Sequence, residues 1–330
     1  MTANMSTPSS INVTVDLTGK DFFETARLIN GVILYPIICF PGIIGNIITL
    51  IVLSMKNMQT STNAFLSALA VADIIKLTND ILYFFVLLLM RIDKDAAQTA
   101  YVHIYPQAHF IFNFSLCVSS WLTVTVAVER FILVCFPTKA KFICTRSRAI
   151  ITCVIVYLVM VCFSLPCAFR YKTIYVYNNE TGATIQDLEV SEMWSDKYFV
   201  TIYTWILNSL RCNIPLFILI ILNTCIICSM RKARAKKNNS RRNRVTFMMI
   251  TIIMCFLVFT TPDAIMSTFL KYGYHEANNY VKGMREFTDT LLTVNAAVNF
   301  IIYCWFGYTF RQNFKKLFCQ RPSRGKEVFV

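Results

Sequence analysis

The chain has 330 residues, of which 56% are hydrophobic and only 15% charged, whereas soluble domains carry about a quarter charged residues. Nine Gly and nine Pro exclude collagen-like and low-complexity chains, and 27 Phe exclude a disordered one. A net charge of +14 would point to nucleic acid on a single soluble surface, but here the basic residues alternate with long apolar runs. The composition is that of a polytopic membrane protein with no nucleic-acid partner.

Residues 1–27 lack a basic segment followed by an apolar core, so no cleaved signal peptide is expected and the first apolar run serves as signal anchor. A spanning helix needs roughly 20 mostly apolar residues. Such stretches fall near 29–55, 64–90, 107–135, 149–169, 199–229, 245–270 and 287–306. The second contains Lys76, Asn79 and Asp80, and rests on its length and on the apolar flank from Ile81 to Met90. The side holding residue 56 and segments 130–148, 231–244 and 311–326 carries 20 Lys and Arg, the other side 10. This asymmetry places the N-terminus outside and the tail in the cytoplasm. The sequons at Asn4, Asn12 and Asn179 fall on the outer side and are glycosylation candidates. The expected organisation is an extracellular N-terminus (1–27), a seven-transmembrane domain (28–306), and a short amphipathic eighth helix with a tail (307–330). The fold class is an all-α membrane bundle.

Ionisable residues inside spans are costly and point to function. Asp73 sits mid-span and cannot snorkel. Asn46 follows Gly45, and Asn295 and Asn299 lie four apart on one helical face. A carboxylate with neutral oxygen donors suits a monovalent cation. Glu129-Arg130-Phe131 closes the third span seven residues before Pro137, where a cytosolic partner can capture Arg130. Of 13 Cys, nine lie within spans and Cys135, Cys144 and Cys319 face the cytosol. Cys167 alone is near the outer surface, so no extracellular disulfide is expected.

These pieces together resemble a class A (rhodopsin-like) G-protein-coupled receptor. The likeness rests on Gly45-Asn46, Leu69-Ala-Val-Ala-Asp73, Glu129-Arg130-Phe131, Pro215, Pro262, Asn299-Phe-Ile-Ile-Tyr303 and Phe310. The resemblance implies coupling to a heterotrimeric G protein through Glu129, Arg130, Phe131, Pro137, Asn299 and Tyr303. It also implies a sodium site at Asp73, Ser119, Asn295 and Asn299, the ion acting as an allosteric modulator and no other cofactor being needed. Several positions depart from the family pattern. Tyr105 replaces the usual third-span Cys, Tyr157 the fourth-span Trp, Thr260 the sixth-span Trp, Asn223 a fifth-span Tyr, and Phe300 the last-span Pro. Asn299-Phe300 and Ile221-Leu222-Asn223 are similar to the FMRFamide, myosuppressin and sex-peptide receptor group.

Within that resemblance, Phe112 stands where amine receptors carry an Asp, and Thr293 where opsins carry a Lys. Aminergic and retinal readings therefore fall away. The three His are scattered and no Ser-His-Asp or zinc-protease spacing occurs, so nothing supports an enzyme. What remains outward is Lys76, Asp80, His109, Phe112, Asn113, Arg211, Asp263, Glu286 and Asp289. These predict a polar cavity for a neuropeptide or a small amino-acid-like ligand. A purely structural alternative pairs Lys76 with Asp80 and Arg211 with Asp263. A seven-helix transporter or channel is the alternative of a different class, but no internal repeat supports it. In the tail, Phe310, Phe314, Leu317 and Phe318 share one face and Arg311, Lys315 and Lys316 can meet anionic lipid headgroups, with Cys319 a lipidation candidate. Beyond it only Ser323 carries a hydroxyl, so arrestin recruitment is expected to be weak.

Overall fold

The computed structural model describes residues 10–178, 183–234, 240–269 and 278–319, with side chains described over 19–177, 184–231, 246–269 and 278–317. Helix α1 (Ser10–Arg27) runs through a π-helical turn, Leu28–Leu34, into α2 (Tyr35–Leu53), which completes the first span. Next come α3 (Ser61–Ile92), α4 (Lys94–Cys135), the short α5 (Pro137–Ile143) and α6 (Arg146–Ser164). Strands β1 (Tyr171–Asn178) and β2 (Ala183–Val190) follow, then the single turn α7 (Glu192–Ser195). The fifth span is α8 (Lys197–Asn208), a second π-turn at Ser209–Asn213, and α9 (Ile214–Arg234). Helices α10 (Ser240–Phe269) and α11 (Asn279–Phe306) are the sixth and seventh spans, and α12 (Tyr308–Cys319) is the eighth helix.

Among the described residues, six helices are long and apolar enough to cross a membrane on length and composition alone. Helix α3 falls outside that set because Asp73, Lys76, Asn79 and Asp80 lower its hydropathy. All four are buried, and with 32 residues α3 exceeds the roughly 20 a span needs. Its charges point into the bundle, so it is the seventh span. Apolar side chains ring the outside instead, among them Ile37 and Ile44 on α2, Ile151 and Leu158 on α6, and Phe217 and Ile220 on α9. Exposed surface of that kind fits a lipid solvent.

Both π-turns have the same cause. A proline donates no N–H, and Pro36 and Pro215 each sit just past the wide turn. The amide of Tyr35 reaches back five residues to Asn30, and that of Ile214 to Ser209. In the second turn the Leu210 carbonyl would take its π-type bond from Pro215, which has no hydrogen to give. The indole Nε1 of Trp121 on α4 donates to it instead, at 2.9 Å.

Two segments are more ordered than the sequence led us to expect. Residues 10–27 were read as part of the N-terminal segment, yet they form a helix whose Phe22 stacks on Tyr280 (5.8 Å between centroids) and meets Phe287 (6.4 Å) of α11. The segment between the fourth and fifth spans, in which no element was expected, holds an antiparallel hairpin in register from Tyr171 opposite Val190 to Asn178 opposite Ala183. Helix α4 also begins about three turns before the expected 107, capped by the Asp93 carboxylate on the amides of Asp95 and Ala96.

Spans one and seven touch where Gly45 meets Phe300: a Cβ there would lie 2.9 Å from Cβ of Phe300. Replacing Gly45 with Val is therefore expected to cost about 1–3 kcal/mol by overpacking, visible as a lower unfolding temperature of the purified protein and reduced surface expression. An unchanged unfolding temperature would show that these helices do not rely on that approach.

Candidate functional site

One end of the bundle carries the hairpin, and beneath it lies a cavity of about 350 Å³. Its floor includes Asp80 of α3, paired with Lys76 one turn deeper at 2.5 Å from nitrogen to oxygen. The Thr293 hydroxyl accepts from Lys76 Nζ at 3.1 Å and lies 2.8 Å from Asp80 Oδ2. The ammonium also sits 5.4 Å from the Phe112 ring centroid, an attractive cation–π placement. A second pair crosses from the fifth span to the sixth, Arg211 Nη2 to Asp263 Oδ2 at 2.8 Å. Arg211 donates further to Asn113 Oδ1 (3.1 Å) and Ser267 Oγ (2.8 Å). The π-turn ending at Asn213 carries Arg211 to the inside of the bundle. Both pairings anticipated from sequence are formed.

His109 and Asn113 lie one turn apart on α4, the amide of Asn113 donating to the His109 carbonyl at 2.9 Å. Asn113 is buried. Glu286 accepts from the Tyr83 hydroxyl at 3.1 Å. Asp289 lines the cavity; its backbone carbonyl accepts from the Thr293 hydroxyl at 2.9 Å, and among the described residues its side chain makes no hydrogen bond. The rim carries Arg27, Arg170, Lys282 and Arg285. Sequence reasoning had noted Asn79 only as a polar residue within a span, and had singled out neither Tyr101 nor these rim residues. Their only signal was position near the outer helix ends.

Tyr105 takes the place of the expected cysteine and does a related job. Its ring lies 5.2 Å from that of Tyr171 at the start of β1, so an aromatic contact ties α4 to the hairpin. Arg170, 3% exposed, lies 5.4 Å from the Tyr171 centroid and 4.6 Å from that of Trp194. The twelve cysteines with described side chains are free thiols, and Cys167 Sγ lies 3.3 Å from the Tyr203 hydroxyl.

Mid-bundle, Asn299 Nδ2 donates to Asp73 Oδ2 at 2.8 Å. Asn46 bridges spans one and seven, donating to the carbonyls of Gly42 and Ala296, each at 3.0 Å. Ser119 is buried and Asn295 half-buried, and neither is joined to Asp73 by a side-chain hydrogen bond among the described residues. At the other end Arg130 is buried, paired with Glu129 (3.5 Å) and hydrogen-bonded to Thr62, while Glu129 accepts from Ser61. Phe131 packs edge-on to Phe136 (5.8 Å), ahead of Pro137 at the start of α5. A cavity of about 750 Å³ opens there, lined by Arg130, Tyr303, Met248 and residues of α12. Asn4 and Asn179 lie outside the described residues, as do the side chains of Asn12 and Cys319 and all of 320–330.

The chain belongs to the seven-transmembrane receptor, rhodopsin family, whose pattern it matches over residues 45–303. It is 27% identical to the FMRFamide receptor of Drosophila melanogaster over 85% of its length, spanning 52% of that relative. To the sex peptide receptor of the same organism it is 26% identical over 88%, spanning 73%. The type-1 angiotensin II receptor of Cavia porcellus is 24% identical over 89% of the chain, which spans 81% of that relative.

Truncating either member of the Arg211–Asp263 pair leaves a buried charge unpaired, at a cost of about 3–5 kcal/mol. Arg211→Met is expected to abolish surface expression. The exchange of Arg211→Asp with Asp263→Arg is expected to restore much of it. If the exchange rescued nothing while each single variant expressed normally, the pair would not be holding the fifth and sixth spans together.

Proposed function

We propose that this protein is a plasma-membrane receptor, N-terminus outside, that binds a neuropeptide beneath the hairpin and activates a heterotrimeric G protein at the opposite end. The observation that carries this reading is that α10 and α11 line both cavities. Asp263 and Asp289 face one, Met248 and Tyr303 the other, and the two ends lie roughly 20 Å apart along the helices. A shift of either helix beneath a ligand therefore changes the surface offered to a partner at Arg130. The names of the relatives, two of them receptors for peptides in insects, support a peptide over a small amino-acid-like ligand. The internal pairing of Arg211 with Asp263 and Lys76 with Asp80 supports a role for those four residues in shaping the cavity.

In the resting arrangement Thr62 and Glu129 hold Arg130 against α3. Activation frees the guanidinium to meet the G protein, with Tyr303, already on that cavity wall, moving toward it. The basic face of α12 sits on anionic lipid, Cys319 is its lipidation site, and the hydroxyl-poor tail recruits arrestin weakly. Arg130→Ala is expected to remove agonist-stimulated nucleotide exchange at normal surface expression. Full exchange by that variant, or agonist-driven substrate flux without exchange, would refute the reading.

The residues around Asp73 fit a sodium ion. Only one carboxylate oxygen is engaged by Asn299, and Asn46 Oδ1 is buried without a partner among the described residues. The ion would supply a positive charge that Asp73, Ser119, Asn295 and Asn299 share, favouring the conformation that binds it better. Raising sodium is then expected to weaken agonist affinity in the wild type and to leave Asp73→Asn unchanged. Equal sodium dependence in both would remove the ion from the mechanism.

A further inference from the structure

We infer that the cavity beneath the hairpin contains a subsite for a cationic hydrogen-bond donor, an ammonium or guanidinium, seated on the Asp289 carboxylate with Asn79 Oδ1 as second acceptor. The inference deepens the peptide-receptor reading and assigns the charge of the group that enters first.

The charges on the cavity floor do not balance. Arg211 is committed to Asp263 at 2.8 Å and Lys76 to Asp80 at 2.5 Å. Two carboxylates on α11 then remain. Glu286 receives the Tyr83 hydroxyl at 3.1 Å. Asp289, one turn outward of Thr293, lines the cavity and has no ion pair or side-chain hydrogen bond among the described residues. Arg285 stands one turn outward on the same helix face, on the rim, and no ion pair joins the two. An unneutralised carboxylate in a low-dielectric bundle is costly, and a cation delivered by a ligand removes that cost.

A second observation points the same way. Asn79 is only 6% exposed and lines the same cavity, yet its Oδ1 is buried with no hydrogen-bond partner among the described residues. A buried acceptor without a donor costs about 1–3 kcal/mol. It precedes Asp80, which meets Thr293, and Thr293 in turn bonds the Asp289 backbone. Asn79 therefore stands on the helix facing Asp289 and roughly a turn deeper in the same cavity, so the guest meets Asp289 first and Asn79 beyond it. Two acceptors lacking donors define a donor-bearing guest, and the carboxylate requires it to be positive. The basic rim of Arg27, Arg170, Lys282 and Arg285 favours carbonyl-rich or acidic groups behind that cation. The basic end of the ligand goes in first.

The probe is Nα-acetyl-L-argininamide, compared with its uncharged isostere Nα-acetyl-L-citrullinamide, on purified full-length receptor followed by thermal unfolding. Acetyl-argininamide is expected to raise the unfolding midpoint by at least about 2 °C at saturation, and acetyl-citrullinamide to leave it unchanged. Asp289→Asn should abolish the shift, Asp289→Glu should keep it, and Asn79→Ala should raise the half-saturating concentration about 3–10-fold. If Asp289→Asn fails to fold, Asp289→Ser serves in its place. No shift in the wild type, equal shifts from both probes, or a shift surviving Asp289→Asn each overturn the subsite. A receptor that answers no peptide in a cell-based panel yet responds to acetyl-argininamide through Asp289 would sink the peptide reading and leave the subsite standing. An agonist peptide indifferent to replacing Arg with citrulline, together with no acetyl-argininamide shift, would do the reverse.

Discussion

A guanidinium inside a helix bundle must be neutralised where it stands, since the surrounding lipid offers nothing in exchange. Arg211 meets that requirement with Asp263, Asn113 and Ser267, and in doing so connects the third, fifth and sixth spans. It reaches them because Pro215 forces a π-turn, and the carbonyl that the turn orphans is satisfied by Trp121 from the third span. Backbone irregularity and buried charge are thus a single arrangement. Without the wide turn Arg211 would point elsewhere, and without Trp121 the turn would leave a polar atom bare.

The hairpin above this floor is held by contacts rather than by a covalent bond. Tyr105 meets Tyr171, Arg170 lies against both Tyr171 and Trp194, and Gln98 Nε2 donates to the Gln186 carbonyl at 3.2 Å. Aromatic pairs are worth about 0.5–1.5 kcal/mol each beyond their burial, far below a bond. Such a clasp can open and re-form on a thermal timescale, which suits a cavity whose guest must pass the hairpin. Arg170 belongs to both the clasp and the cavity rim, so a guest that engages it acts on the hairpin directly.

The spans, their number, and the pairs Lys76–Asp80 and Arg211–Asp263 were legible in the sequence because hydropathy and helical spacing are local signals. The extension of the first helix back to Ser10 was not, because what stabilises it is the packing of Phe22 on Tyr280 and Phe287, some 260 residues away. The hairpin escaped notice for a related reason: its strands alternate weakly, and their order comes from Tyr105 and Gln98 of α4. The same limit applies to the cavity. Asp289 and Glu286 were visible as acidic residues near a span, but which carboxylates would already be matched depended on three-dimensional pairing. Asn79 looked like one more polar residue in a polar helix.

Communication between the two ends has a physical route in the seventh span. Thr293 joins the cavity floor, Asn299 holds Asp73 a turn and a half further along, and Tyr303 forms the wall beside Arg130. Phe300, standing where a proline is usual, presses on Gly45 and also meets Phe310 (6.2 Å) and Phe314 (5.8 Å) of α12. A proline there would free a carbonyl one turn back and bend the helix. Phenylalanine keeps the hydrogen-bond ladder intact and adds a rigid contact to α12 instead. The seventh span therefore behaves as a stiff rod over this stretch, and a displacement of its upper part carries through to Tyr303 and α12 together. In the sixth span Pro262 removes a backbone hydrogen bond next to Asp263, so the ion pair with Arg211 adjoins the point where that helix is easiest to bend. A change in that pairing acts at this weak point of the helix whose other end lines the cavity beside Arg130.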